Sequence, residues 1–204
     1  MNQDAKRREL EELRSRVSTL ERELASAGQP PEWPPRQFYT AYEVLAGCIL
    51  GMAGAVVSLL FNVIGSLLVG QEPLRLIQVY LTFPLGSEAL QLHSGLALAV
   101  GCCLYLLTGM VLGVPFQLVL SRYCSGASLV ARFVVVSVLS VALWGFNFYV
   151  VLNWLQPALI GGNWIVEQVP WWVAALTHLV FGWTMLVVQP LGRFVAGNRI
   201  VEAA

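Results

Sequence analysis

What this 204-residue chain has least of is charge. Asp, Glu, Lys and Arg make up 12% of it, against about a quarter in an ordinary soluble domain. Residues 1–40 hold 14 of the 24 charges, leaving 10 for the remaining 164 residues. With 57% hydrophobic residues and a mean hydropathy of +0.67, this excludes a simple soluble globular enzyme. The net charge is zero and no basic stripe is present to displace counterions from phosphate, which argues against nucleic-acid binding. Catalytic signatures are missing as well. There is no Gly-x-Ser-x-Gly, no phosphate-binding glycine loop and no histidine–carboxylate pair close in sequence. Cys48, Cys102, Cys103 and Cys124 include no Cys-x-x-Cys and read as free, packed thiols rather than disulfides or a zinc site. The first 40 residues lack an apolar signal core. Arg7-Arg8 precedes an acidic helix rather than the apolar run of a twin-arginine signal, so no cleavable leader is expected.

What is present is long charge-free sequence. Four windows, 44–71, 89–121, 133–166 and 168–192, carry no charged residue. A hydrocarbon layer about 30 Å thick is crossed by about 20 apolar residues in helix. A charge at its centre costs at least about 2.5 kcal/mol. Each window therefore predicts one span, near Val44–Val69, Leu96–Leu120, Phe133–Leu152 and Trp171–Gln189. The runs are continuous rather than alternating, which excludes a transmembrane β-barrel. The fold class expected is all-α, a four-helix transmembrane bundle with an N-terminal cytoplasmic coiled-coil helix. Arg36, Arg122, Arg132, Arg193 and Arg199 flank one side and only Arg75 the other, so the positive-inside rule puts both termini in the cytoplasm. Trp154, Trp164, Trp171 and Trp172 then fall at the outer interface, where an indole suits the boundary between lipid and water.

The chain divides into a coiled-coil arm (1–27), a proline-rich linker (28–40), the bundle (41–192) and a cytoplasmic tail (193–204). In the arm, Leu10, Leu13, Val17, Leu20 and Leu24 are spaced 3, 4, 3, 4, the seam of a coiled coil. A seam of about two and a half heptads is marginal alone, so it requires another copy or another subunit; otherwise it is an amphipathic helix lying on protein or membrane. Pro30, Pro31, Pro34 and Pro35 make the linker stiff and extended. Leu74–Leu81 predicts a short interfacial helix stopped by Pro84 and Gly86. Asn153–Pro170 predicts an outer loop that turns at Gly161-Gly162 and folds back onto the bundle.

His93 and His178 are the only histidines. Counted from Trp171 for His178 and from Glu88 for His93, they lie about 10 and 7 Å deep at 1.5 Å per residue, on two helices running the same way. Intramembrane ionisable groups are functional candidates, and two facing imidazoles at one depth suit the axial positions of a b-type haem. Gly182 beside His178 and Gly101 beside His93 would admit a flat macrocycle, or would simply let helices pack closely. The alternative role for each imidazole is a hydrogen bond between helices. Gly47-x-x-x-Gly51, with Ser58 and Asn62 on the same stripe, marks the first span as a close-packing helix. Ser137, Ser140, Trp144 and Asn147 share a face of the third. Asn62 and Asn147 are expected to find partners inside the bundle, because an unpaired amide in lipid is costly.

His93-Ser-Gly95 with Gly101 and Tyr105, Pro157-x-x-x-Gly161-Gly162, and His178-Leu-Val-Phe-Gly182-Trp together resemble a group of small uncharacterised bacterial four-span membrane proteins with a histidine–glycine helix in each half. The resemblance covers residues 44–190. It implies a bacterial inner-membrane protein whose two histidine helices are neighbours. The function expected is that of a non-catalytic accessory or assembly subunit of a membrane complex, a homo-oligomer or part of a larger assembly, docking through the first span and the coiled coil. The alternatives are a haem b electron-transfer protein with His93 and His178 as ligands, and a small transporter, which the lack of charged residues at mid-membrane disfavours.

Overall fold

The computed structural model describes residues 3–26, 36–93 and 95–193, and no strand occurs among them. The chain divides into two units, residues 1–40 and 41–204. In the first, α1 (Gln3–Ser26) is a single helix with Leu10, Leu13, Val17 and Leu20 exposed along its length. Leu24 lies within α1, but its side chain is outside the described residues, as are most of the proline linker and the tail beyond Arg193.

The rest is a bundle of α2 (Arg36–Leu68), α3 (Arg75–Leu85), α4 (Leu96–Arg122), α5 (Leu129–Gly145), α6 (Asn153–Ile160), α7 (Trp164–Gln168) and α8 (Trp171–Val188). Four stretches, Tyr39–Leu68, Leu96–Arg122, Leu129–Ile160 and Trp171–Gly192, are long and apolar enough to cross a membrane. Only 11–33% of their most apolar windows is buried within the molecule, and exposed side chains such as Leu68, Val111, Val138 and Val187 are aliphatic. Water would make such a surface untenable, whereas lipid solvates it. The chain is an integral membrane protein with a four-helix transmembrane bundle.

Two boundaries differ from the expectation. The third span runs from α5 through a π-helical segment, Phe146–Leu152, directly into α6. The helix therefore continues to Ile160 instead of opening into a loop at Asn153. Hydropathy locates lipid; it does not locate the residue that ends a helix. That residue is Gly161, at φ 84°, where a side chain would be strained. The second difference is α3. Its helix runs through Pro84 to Leu85, and it is not peripheral to the bundle, because Ile77, Gln78, Val79, Leu81 and Thr82 are all buried. It inserts beside α4, with Ile77 and Leu81 filling the space next to Gly101 and the Tyr80 and Thr108 hydroxyls hydrogen-bonded to each other.

The four spans pack through small residues. A Cβ on Gly51 would lie 2.2 Å from the Gly109 carbonyl oxygen, and one on Gly113 would lie 2.2 Å from the Gly47 oxygen. Backbone thus rests on backbone where α2 crosses α4, a contact open only to residues without side chains. α8 is central. Asn62 on α2 donates to its Thr177 hydroxyl at 2.9 Å, Phe116 on α4 packs edge-on to its Phe181, and Ser137 on α5 accepts from its Trp183 indole at 3.0 Å. At the arginine end of the bundle, Arg122 pairs with Glu43 at 2.9 Å, and Arg132 and Arg193 both donate to Gln189. At the tryptophan end, α3 and α7 close over the spans.

The glycine contact generates a direct test. Gly51→Val forces backbone apart and is expected to destabilise the bundle by about 1–3 kcal/mol, the usual range for overpacking. Gly65→Ala, where a Cβ meets nothing within 4 Å, should be neutral or slightly stabilising. Unfolding midpoints in mixed micelles compare them, and equal midpoints would show that the α2–α4 crossing is not close-packed.

Candidate intramembrane site

A cleft of about 670 Å³ lies between α4 and the third span, backed by α8 and closed at the tryptophan end by α3. Its walls are mainly apolar. The mouth includes Leu107 and Val111, which are exposed and sit close to the middle of α4. The cleft therefore opens on the side of the bundle, near the middle of α4. The π-helical segment supplies Asn147, Phe148, Val151 and Leu152 to one wall. Such wide turns re-aim side chains and recur at functional sites.

Most polar groups around the cleft satisfy one another. Ser58 Oγ and Tyr105 OH are 2.9 Å apart, and Ser58 also donates to the Ala55 carbonyl. Asn62 donates to the Ser58 carbonyl at 2.8 Å as well as to Thr177. Thr177 in turn donates to the Val173 carbonyl. This chain ties α2, α4 and α8 together and removes the cost of burying amides and hydroxyls in a medium that offers no water.

Two groups on the cleft wall are different. His178 Nδ1 lies 2.8 Å from the Ala174 carbonyl oxygen. A carbonyl only accepts, so Nδ1 carries the proton and Nε2 of the neutral ring is left as an acceptor. No partner for Nε2, or for the Asn147 amide, occurs among the described residues. The helix pairings fix the levels of these groups. Ser137 meets Trp183, and a Cβ on Gly182 would lie 2.0 Å from Ser140 Oγ. Continuing that antiparallel register places Asn147 within about one helical turn of His178. An acceptor on α8 and an amide on the third span, both unspent, thus line an otherwise greasy cleft.

The two histidines do not share a site. α4 begins at Leu96, so His93 precedes the helix rather than lying inside it. Its ring is two-thirds exposed, and Nδ1 meets Glu72 at 2.5 Å. It does not line the cleft. The space beside Gly101 is filled by Ile77 and Leu81, and that beside Gly182 by Ser140, Phe116 and Val136. The small residues that would have admitted a macrocycle between two imidazoles are therefore used for packing. No cluster of three metal-ligating side chains occurs among the described residues. Of the other sequence candidates, Gly47 and Gly51 lie in the α2–α4 crossing, and Ser58 and Asn62 lie in the buried chain behind the cleft. Trp144 stacks on Phe148 and packs edge-on to Tyr149 and tilted against Trp171.

Sequence reasoning missed a second polar cluster. Buried Gln78 on α3 donates to Glu72 and, at 2.7 Å, to the Leu92 carbonyl. It accepts from Arg75 at 3.1 Å, and Arg75 also reaches Gln168 at 3.1 Å. Nearby, Gln156 bridges Thr82 and the Ile165 backbone N–H. These bonds fasten α3, α6, α7 and the loop before α4 into a cap over the cleft. The available signal was five amide and charged side chains, Glu72, Arg75, Gln78, Gln156 and Gln168, in the two segments between spans at the tryptophan end. No family model, curated protein or solved structure is significantly similar to the chain.

The hydrogen bond from His93 holds the Glu72 carboxyl below its ordinary value of 4.5, assisted by Gln78 and the positive charge of Arg75 and opposed by partial desolvation. A depressed carboxyl stabilises the fold above its unfolded pKa and loses that contribution as pH falls through the folded one. The clasp should therefore release in the acid range below 4.5. Carboxyl-carbon NMR of Glu72 should report this early titration, and His93→Ala should move it back upward. An unchanged titration in that variant would remove His93 as the cause.

Proposed function

We propose that the chain is a non-catalytic membrane subunit that holds an uncharged, lipid-soluble molecule with a hydroxyl head group in the intramembrane cleft. One observation carries this reading: His178 and Asn147, whose Nε2 and side-chain amide have no partner among the described residues, line the same apolar cleft. A polar group without a hydrogen-bond partner in an apolar medium costs free energy, so a molecule that satisfies both groups would be held by them. The acceptor at Nε2 requires a donor, which a hydroxyl supplies. No Asp, Glu, Lys or Arg lines the cleft, so a charged head group would be buried without a counter-ion and is disfavoured. The apolar walls suit an apolar body, and about 670 Å³ falls within the range of small-molecule sites. A mouth on the side of the bundle lets such a molecule enter from the lipid.

The reading is non-catalytic because the hydroxyls of the site are tied up in pairs, Ser58 with Tyr105 and Tyr80 with Thr108. None is poised beside a general base. Holding and presenting a lipid-soluble molecule is a role suited to an accessory subunit of a membrane complex.

A diazirine-bearing isoprenoid alcohol tests the site, with its methyl ether as the control that cannot donate. The alcohol should label cleft residues of the protein in nanodiscs about tenfold more than the ether, a difference of about 1.4 kcal/mol. His178→Leu should abolish that preference, and Asn147→Leu should weaken it. Equal labelling by alcohol and ether would sink the proposal.

The arginine-rich end is assigned to the cytoplasm because Lys and Arg flanks are retained on that side. Ser125, exposed in the α4–α5 connection, reports it. Ser125→Cys should react with a membrane-impermeant maleimide only after permeabilisation, with the wild-type chain as background for the native cysteines. Labelling in intact cells would invert the topology.

A further inference from the structure

α1 is a polar helix carrying one apolar stripe. Leu10, Leu13, Val17 and Leu20 are each half exposed, and everything between them is charged or small and polar. From their 3, 4, 3 spacing, Leu10 and Val17 occupy the first core position of successive heptads, and Leu13 and Leu20 the second. The same register assigns the residues beside the seam. Glu9 and Arg16 flank it on one side, Arg14 and Glu21 on the other. In a parallel pair, a residue on the first flank meets the residue five positions later on the opposite flank of the other helix. Glu9 then faces Arg14, and Arg16 faces Glu21. Twofold symmetry repeats both contacts, giving four attractive pairs and no repulsive one among these residues. The fully overlapped antiparallel arrangement instead sets Arg16 against Arg16 and Arg14 against Arg14.

From this complementarity we infer that the α1 stripe is covered by a second copy of the same chain, in a parallel, in-register two-stranded coiled coil. The self-matching pattern selects the occupant: an unrelated helix would need the same alternation of signs, whereas a second copy carries it by definition. Leucine in the second core position, with Val17 among the first, suits two strands. The stripe is short, but anchoring both chains in one membrane raises their effective concentration, so a weak seam suffices. The inference rests on residues 9–21 alone and is independent of the ligand proposed for the cleft.

Paired charge reversals test it in the full-length protein. E9R/R16E makes every one of the four pairs repulsive with itself, and so does R14E/E21R; mixing the two variants restores all four. Chains labelled at the N-terminus with donor or acceptor dyes are compared by energy transfer in liposomes, at a lipid-to-protein ratio high enough to suppress chance proximity. Wild type should show transfer from N-terminus to N-terminus. Each double variant alone should self-associate on the order of 100-fold more weakly, and the mixture should recover wild-type transfer. Recovery also shows that neither variant is misfolded. Undiminished transfer in either variant alone, or no recovery on mixing, overturns the inference.

Discussion

Lipid removes water as a partner for polar groups, and nearly every feature of the bundle follows from how that loss is met. The backbone is paired within helices. The side chains that remain polar inside the spans are strung into short relays: Asn62 to Ser58 and Thr177, Ser58 to Tyr105, Tyr80 to Thr108. Apolar surface provides little drive for helix association when the solvent is equally apolar. The bundle therefore relies on close backbone approach at Gly47, Gly51, Gly109 and Gly113 and on those relays. The same rule makes the exceptions informative. A polar group left without a partner in an apolar medium is costly, and His178 Nε2 and the Asn147 amide are two such groups lining the cleft.

The cap at the tryptophan end solves the related problem of a non-spanning segment. α3 brings Gln78 and Thr82 into the interior, which is tolerable only because each is bonded: Gln78 to Glu72, Arg75 and Leu92, Thr82 to Gln156 and Val79. Its apolar face meanwhile occupies the room that Gly101 leaves beside α4. By filling one end of the space between α4 and the third span, α3 turns an open groove into a cleft with a floor and a lateral mouth. The π-helical turn on the opposite wall shifts the helical phase there, and Asn147 is its second residue.

How much of this was legible beforehand differs by element. Val44–Val69 and Leu96–Leu120 lie within observed spans to within a few residues, because the lack of charge over more than 20 positions has only one physical resolution. The third span was cut short at Leu152, since hydropathy fades before Gly161 ends the helix. Gly47-x-x-x-Gly51 was readable as a packing face without its partner. The partner carried the same signature in Gly109-x-x-x-Gly113, and matching the two spacings would have predicted the α2–α4 crossing. His93 was drawn into the membrane by counting from Glu88, a count that assumed helix where the chain first forms a 3-10 turn and a short extended stretch.

The number of crossings, the apolar outer surface and the amphipathic character of α1 were determined by the sequence itself, because each depends on the residues' own transfer from water and on local periodicity. Which helices touch, that α3 tucks inward, and that His178 faces Asn147's cleft while His93 turns to Glu72 were decided only in the tertiary structure. Those outcomes depend on fit between segments from about 20 to 115 residues apart. A tenth of a nanometre of glycine backbone, or one wide helical turn, selects among arrangements that hydropathy treats as equal.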